Sequence, residues 1–269
     1  MHTESFFDEK VMQRRHTDRK LYFQELARTS ENYILPFIEN HIHVGPDLTV
    51  LEVGCGEGGN LVPFSRRGCS VTGIDISADR IEEARAFFSA EHLQGEFLCQ
   101  DVFKVELIGR FDIIIMRDVI EHVREKGRLF AAVSALLNDN GLIYMAFPPW
   151  QMPFGGHQQI CRNRVISSLP FIHLLPRKVY KALMKRASVN QRAIDELLEI
   201  KDCRMTIEHF KKLVRESDLK QADEVCYLIN PHYEVKFGLK PRKVIFPFSA
   251  LPVCRNFYTT SYFTILKLN

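Results

Sequence analysis

The chain has 269 residues, 46% of them hydrophobic, with 36 Lys and Arg against 33 Asp and Glu, a formal net charge of +3. That is material for one sizeable core, and the balance disfavours both a disordered polyelectrolyte and a globally basic nucleic-acid coat protein. Seven cysteines at 55, 69, 99, 161, 203, 226 and 254 form no CxxC pair and are odd in number, which argues against a disulfide framework or zinc cluster and for a reducing compartment.

The N-terminal stretch MHTESFFDEKVMQRRHTDRK is charged from its first turn and lacks the apolar run of a signal peptide. Residues 8–43 read as two helices, the second starting near Ser30 and bent at Pro36. From residue 49 short apolar runs recur: 49–53, 70–76, 96–100, 111–116 and 142–147. Their continuous hydrophobicity predicts strands buried on both faces, as in a parallel sheet covered by helices. Helices are predicted between them at about 59–67, 78–91 and 119–137, with Ser77 capping the second and Gly68 and Gly141 marking helix-to-strand returns. Strand and helix alternating in this way predict an α/β fold. The longest uncharged run, Asn140 to Cys161, contains Pro148, Pro149 and Pro153 and does not suit a spanning helix, so a soluble, cytoplasmic protein is expected. Farther on, 150–194 is irregular to helical, 206–217 is an amphipathic helix, and 222–229 and 257–266 are two more strands, the second alternating as an antiparallel edge pair does.

The most informative stretch is LEVGCGEGGN, residues 51–60, where Gly54, Gly56 and Gly58 follow a predicted strand and open a predicted helix. Glycine permits positive φ and close approach of a ligand to the backbone. With Gly59 the loop also satisfies GxGxxG, so glycines alone fit a nicotinamide dinucleotide or S-adenosylmethionine equally. Asp75 ends the second strand, where either cofactor presents ribose hydroxyls, and Asp101 follows the third, where an adenine amino group needs an acceptor. Glu52 lies inside the first strand and needs a partner if buried; an amino-acid ammonium group is one, a structural hydrogen bond another.

Together LEVGCGEGG, GIDIS, QDVF, FDIIIMRDVIEHV and NGLIYMAFPP resemble, in order and spacing over residues 48–149, the successive motifs of class I S-adenosylmethionine-dependent methyltransferases. The resemblance implies a doubly wound, Rossmann-like seven-stranded sheet whose last pair is antiparallel. It also implies that Gly54, Cys55 and Gly56 line the methionine moiety, Asp75 holds the ribose, Ile76 packs on adenine, Asp101 and Val102 face the adenine edge, and Arg117 lies beside the cofactor through its backbone. The chain then divides into N-terminal helices (1–47), the cofactor core (48–149), a helical lid and acceptor insertion (150–205) and a C-terminal helix with the strand pair (206–269).

The segment FPPWQMPFGGHQQ (147–159) starts at the cofactor end of the sheet, and Trp150, Met152 and Phe154 are candidate pocket walls. It resembles bacterial methyltransferases of surface-glycan and small-molecule biosynthesis. His157 is the candidate general base, its ordinary pKa near about 6.5 suiting a hydroxyl or amine acceptor, while His122 reads as a packed or capping histidine. No metal is expected. Between Asp139 and Asp195 there is no acidic residue, but Arg162, Arg164, Arg177, Lys178, Lys181, Lys185, Arg186 and Arg192 fall there. That stretch suits an anionic acceptor, a peripheral membrane contact or a solvated face; nucleic acid is disfavoured for want of a recognition motif. The expected activity is methyl transfer to an O or N atom of a small molecule or glycan-type precursor, with an NAD-dependent oxidoreductase and an inactive cofactor-binding protein as alternatives.

Overall fold

The computed structural model describes residues 18–104, 109–161 and 163–269; residues 8–17 of the expected first helix, and Arg162, lie outside them. Asp18 accepts the Leu21 N–H at 2.9 Å and caps α1 (Arg19–Thr29). The chain does not restart near Ser30: it runs through a π-helical turn, Ser30–Ile34, straight into α2 (Leu35–Glu39). Pro36 donates no N–H and its ring presses on the preceding turn, and the widened turn just ahead of it absorbs that misfit.

The alternating core follows as β1 (Thr49–Val53), α3 (Val62–Arg66), β2 (Ser70–Asp75), α4 (Ala78–Ala90), β3 (Glu96–Cys99), β4 (Phe111–Arg117), α5 (Lys126–Ala135) and β5 (Leu137–Phe147). Ser77 caps α4 as expected, through the Arg80 N–H. Next come α6 (Arg164–Ser168), α7 (Arg177–Arg186), α8 (Gln191–Cys203) and α9 (Ile207–Arg215). The chain closes with β6 (Leu219–Ile229), α10 (His232–Phe237), β7 (Arg242–Lys243), α11 (Arg255–Tyr258) and β8 (Ser261–Leu268).

The sheet order is β3-β2-β1-β4-β5-β8-β6-β7, parallel from β3 to β5 and antiparallel beyond. This is the doubly wound sheet expected, with its terminal pair antiparallel; an eighth, two-residue edge strand is too short for any hydrophobic pattern to announce it. Gly141 lies within β5 rather than at a return. A Cβ there would stand 2.9 Å from the Asp112 carbonyl oxygen, where the β4–β5 register shifts.

Continuous apolar strands arise because both faces are covered. Ile113 and Ile115 of β4 pack with Phe23, Ile34 and Ile38 of the N-terminal run on one face. Ile114 and Met116 pack with Leu129, Phe130 and Phe210 of α5 and α9 on the other. Each such side chain, fully buried, contributes about 1.5–3 kcal/mol. Register brings Asp75, Arg117 and Phe147 to one edge of the sheet, and because Phe147 pairs with Tyr262, the loop joining β6 to β8 reaches that edge too.

The segment between β5 and α9 has a small core of its own, in which Tyr180 and Met184 of α7 meet Ile194, Leu197 and Leu198 of α8. Lys178, Lys185, Arg186 and Arg192 are exposed and Arg177 pairs with Asp202, whereas Lys201 turns inward and donates to the His173 and Leu175 carbonyls. All seven cysteines are free thiols. No helix among the described residues is long and apolar enough to cross a membrane.

Candidate cofactor and acceptor site

The glycine loop leaves β1 with the Gly54 and Cys55 N–H groups both donating to the Ile74 carbonyl, at 2.8 and 3.0 Å. Gly54 has φ +70° and a Cβ there would lie 2.6 Å from Val119 Cγ2, so only glycine fits. A Cβ on Gly59 would stand 2.5 Å from the Phe23 carbonyl oxygen, because α1 lies directly on the loop. Gly56 and Gly58 are likewise left-handed, at φ +51° and +79°.

Asp75 ties the loop to the end of β2. Its Oδ2 accepts the Gly56 N–H at 3.0 Å and its Oδ1 the Ser77 N–H at 2.9 Å. A carboxylate offers about four lone-pair positions, so roughly two remain for a ligand. Beside it Ile76 is 79% exposed, an apolar side chain left in solvent at the point where the resemblance puts adenine. Asp101 is half-buried and caps the following turn, its Oδ1 accepting the Phe103 N–H at 3.0 Å, with Val102 half-buried next to it. Cys55 is buried and burial pushes its thiol well up, so it stays a neutral packing group.

Beneath the loop runs a polar chain that sequence reasoning saw only in part. Asn60 donates to Glu52 Oε1 at 2.6 Å, Arg117 donates to Asn60 Oδ1 at 3.1 Å, and Arg117 Nε stands 3.5 Å from Asp118 Oδ2. The Arg117 side chain is thus part of this buried chain, a role beyond the backbone contact that the resemblance implies. Glu52 is 1% exposed and its Oε2 has no hydrogen-bond partner among the described residues. Burial pushes its carboxyl up to about 8, against the opposing pull of Asn60 and Arg117. Asn60 was legible in principle, as the one amide closing the glycine run. Tyr22 and Arg19 were not, since only the fold lays α1 over the loop: Arg19 stacks on the Tyr22 ring and pairs with Glu57.

The insertion brings His157 to the same end of the sheet. Its ring packs edge-on against His122, centroids 5.1 Å apart, and its backbone is left-handed at φ +55°. Burial, then the neighbouring His122 and His173, pushes His157 down to about 4 rather than leaving it near its ordinary value. His122 is lowered as well, chiefly by burial and against the pull of Asp118. Next to them Glu121 is buried with neither carboxyl oxygen hydrogen-bonded among the described residues, and burial and Asp118 raise its pKa. One ligand atom from each of Glu121, His122 and His157 lies within 4.8 Å of the others, a set able to hold a cation that the sequence did not suggest. Trp150 and Met152, expected as pocket walls, are 6% and 5% exposed. Trp150 packs on His173, whose Nε2 lies 2.7 Å from the Trp150 carbonyl oxygen, so both stiffen the insertion.

Several known proteins are similar to this chain in sequence or fold. A methyltransferase-domain family model matches residues 14–187, more than half of the chain. A ubiquinone biosynthesis O-methyltransferase of Rhodopseudomonas palustris (strain HaA2) is 37% identical over 99 residues, 37% of this chain and 39% of its own. One of the same name from Bradyrhizobium diazoefficiens is 35% identical over the same length and shares. The chain therefore spans about two fifths of the length of the curated relatives it matches. An S-adenosylmethionine-dependent methyltransferase from Clostridium acetobutylicum superposes with a TM-score of 0.56 over 92% of both chains at 13% identity. Magnesium protoporphyrin IX methyltransferase from Synechocystis, solved with S-adenosylhomocysteine, gives 0.52 over 91% of this chain and 84% of its own, at 14% identity. With the glycine loop, the acidic strand end and the matched domain in agreement, the chain belongs to the methyltransferase-domain family, the class I S-adenosylmethionine-dependent methyltransferases.

Proposed function

We propose that the protein transfers a methyl group from S-adenosylmethionine to a hydroxyl oxygen of a small molecule, with Glu52, the 54–58 loop, Asp75, Ile76, Asp101, Val102 and Arg117 holding the cofactor and His157 serving the acceptor. The observation that carries this reading is the convergence at one edge of the sheet of the glycine loop, Asp75 and the His122–His157 pair. The oxygen acceptor follows the printed activity of the relatives above, which are O-methyltransferases.

The cofactor, when bound, supplies an already activated methyl group. The residues then have three tasks: to orient, to keep water out and to take up a proton. Asp75 offers its remaining lone pairs to vicinal hydroxyls, and Ile76 gives a flat base an apolar surface. The buried Glu52 Oε2, without a hydrogen-bond partner among the described residues, suits an ammonium group. His157, unprotonated at neutral pH, is free to accept the hydroxyl proton, and the 150–205 segment acts as the lid that shields it.

Glu52 gives this assignment a pH signature. With its folded pKa raised from 4.5 to about 8, the folded chain keeps a proton that the unfolded chain loses across that window. Its contribution to stability therefore falls as pH rises from about 4.5 to 8. An ammonium group docking beside it converts the acid to carboxylate. Calorimetry of S-adenosylhomocysteine binding at pH 7, in two buffers of different ionisation heat, should show release of nearly one proton, abolished in Glu52→Gln. Identical heats in both buffers would remove Glu52 from the cofactor.

The acceptor is tested by following methyl-labelled cofactor into a panel of hydroxyaromatic, sugar-type, anionic and amine acceptors. Label in an ether linkage is the expected product. Label found only on nitrogen would overturn the oxygen assignment, and none on any acceptor would favour a cofactor-binding protein without turnover.

A further inference from the structure

The loop joining β6 to β8 holds its largest apolar side chains out of the protein: Ile245 is 69%, Phe246 79%, Phe248 52% and Val253 54% exposed. The loop is not loosely held. Glu208 accepts the Val253 N–H at 3.1 Å and pairs with Arg255 at 3.0 Å, Asn256 accepts the Ile207 N–H at 2.9 Å, and the Tyr258 hydroxyl donates to the Phe248 carbonyl at 2.6 Å. A segment pinned this firmly at its base, yet leaving its apolar tips in water, is built to meet something apolar.

Charge narrows the choice. From residue 235 to 257 the chain has no Asp or Glu, while Lys240, Arg242 and Lys243 immediately precede the apolar tips and are exposed. Cations beside protruding Phe and Ile complement an anionic headgroup layer over hydrocarbon, whereas a protein partner would have to supply its own carboxylates. Topology adds the direction. The loop lies at the sheet edge that carries Phe147 and the insertion, and Phe257 meets Phe171 of that insertion at 6.4 Å between centroids. We infer that the 240–257 loop docks the protein on an anionic phospholipid surface, with the cofactor end of the sheet turned toward the bilayer. The inference does not depend on the methyl-transfer reading; it concerns a different set of residues.

The test is co-sedimentation of the full chain with phosphatidylcholine vesicles, with and without phosphatidylglycerol, at low and high salt. Binding should require phosphatidylglycerol and weaken with salt. The triple variant Lys240→Gln, Arg242→Gln, Lys243→Gln should lose on the order of a hundredfold in affinity at low salt, about fivefold for each cation. Phe246→Asp and, independently, Ile245→Asp should each lose at least about tenfold. All are surface changes, so melting temperature and S-adenosylhomocysteine binding should match the parent protein. No vesicle binding by the parent protein, or binding untouched by these variants, overturns the proposal. Self-association in the ultracentrifuge that Phe246→Asp dissolves, without vesicle binding, gives the face to a second copy instead and also overturns it.

Discussion

Asp75→Ala should weaken S-adenosylhomocysteine binding by about 10²- to 10⁴-fold while leaving a folded protein. Two separate losses produce that figure. The carboxylate's bonds to ligand hydroxyls are charge-assisted, worth roughly 1.5–3 kcal/mol each. The same oxygens anchor the Gly56 and Ser77 N–H groups, so the substitution also frees the glycine loop at its far end. Asp75→Asn, which keeps one carbonyl oxygen, should fall between the two. Titration calorimetry and a thermal melt separate the effects: the melt should move by no more than about 1–3 kcal/mol of stability, the cost of orphaned backbone donors. Affinity within threefold of the parent would mean that Asp75 only braces the loop.

His157→Ala should cut turnover by about 10²- to 10⁴-fold, the usual worth of a positioned base, with cofactor affinity unchanged. The low pKa sharpens this expectation. A histidine held at about 4 by burial stays unprotonated well below neutrality, so the acidic limb of kcat/KM should fall closer to pH 4 than to 6.5. The stability linkage has the matching sign. The unfolded chain takes up the proton near 6.5 and the folded one only near 4, so this residue's contribution is lost as pH falls across that interval. In His157→Ala that part of the acid sensitivity should vanish. Unchanged turnover would leave the ring a packing partner of His122 and no more.

Which parts of this were legible from residues alone follows from the range of the interactions. The strands announced themselves because both faces are apolar, as at 111–116, and that pattern needs no tertiary knowledge. The glycine loop and Asp75 were legible because their conformations and chemistry are local: Gly54 needs positive φ, and Asp75 bonds residues at a strand end. The Glu52–Asn60–Arg117 chain was half legible, since it joins two strands and a loop that only the sheet order puts together. Tyr22 and Arg19 were out of reach for the same reason. Position after β5 is enough to single out His157 as a candidate, but its lowered pKa is not legible in the sequence, because burial beside His122 and His173 is a property of the packed insertion. The packing of Trp150 on His173 was not legible either, since the two rings meet only when the insertion folds.

The central claim, a site shaped for S-adenosylmethionine, is tested most directly by titrating the purified chain with S-adenosylhomocysteine and, separately, with NAD while following the melting temperature. A saturable rise is expected with S-adenosylhomocysteine, about 2.7 kcal/mol of added stability at a hundredfold excess over Kd, and none with NAD. A rise with NAD and none with S-adenosylhomocysteine would contradict it.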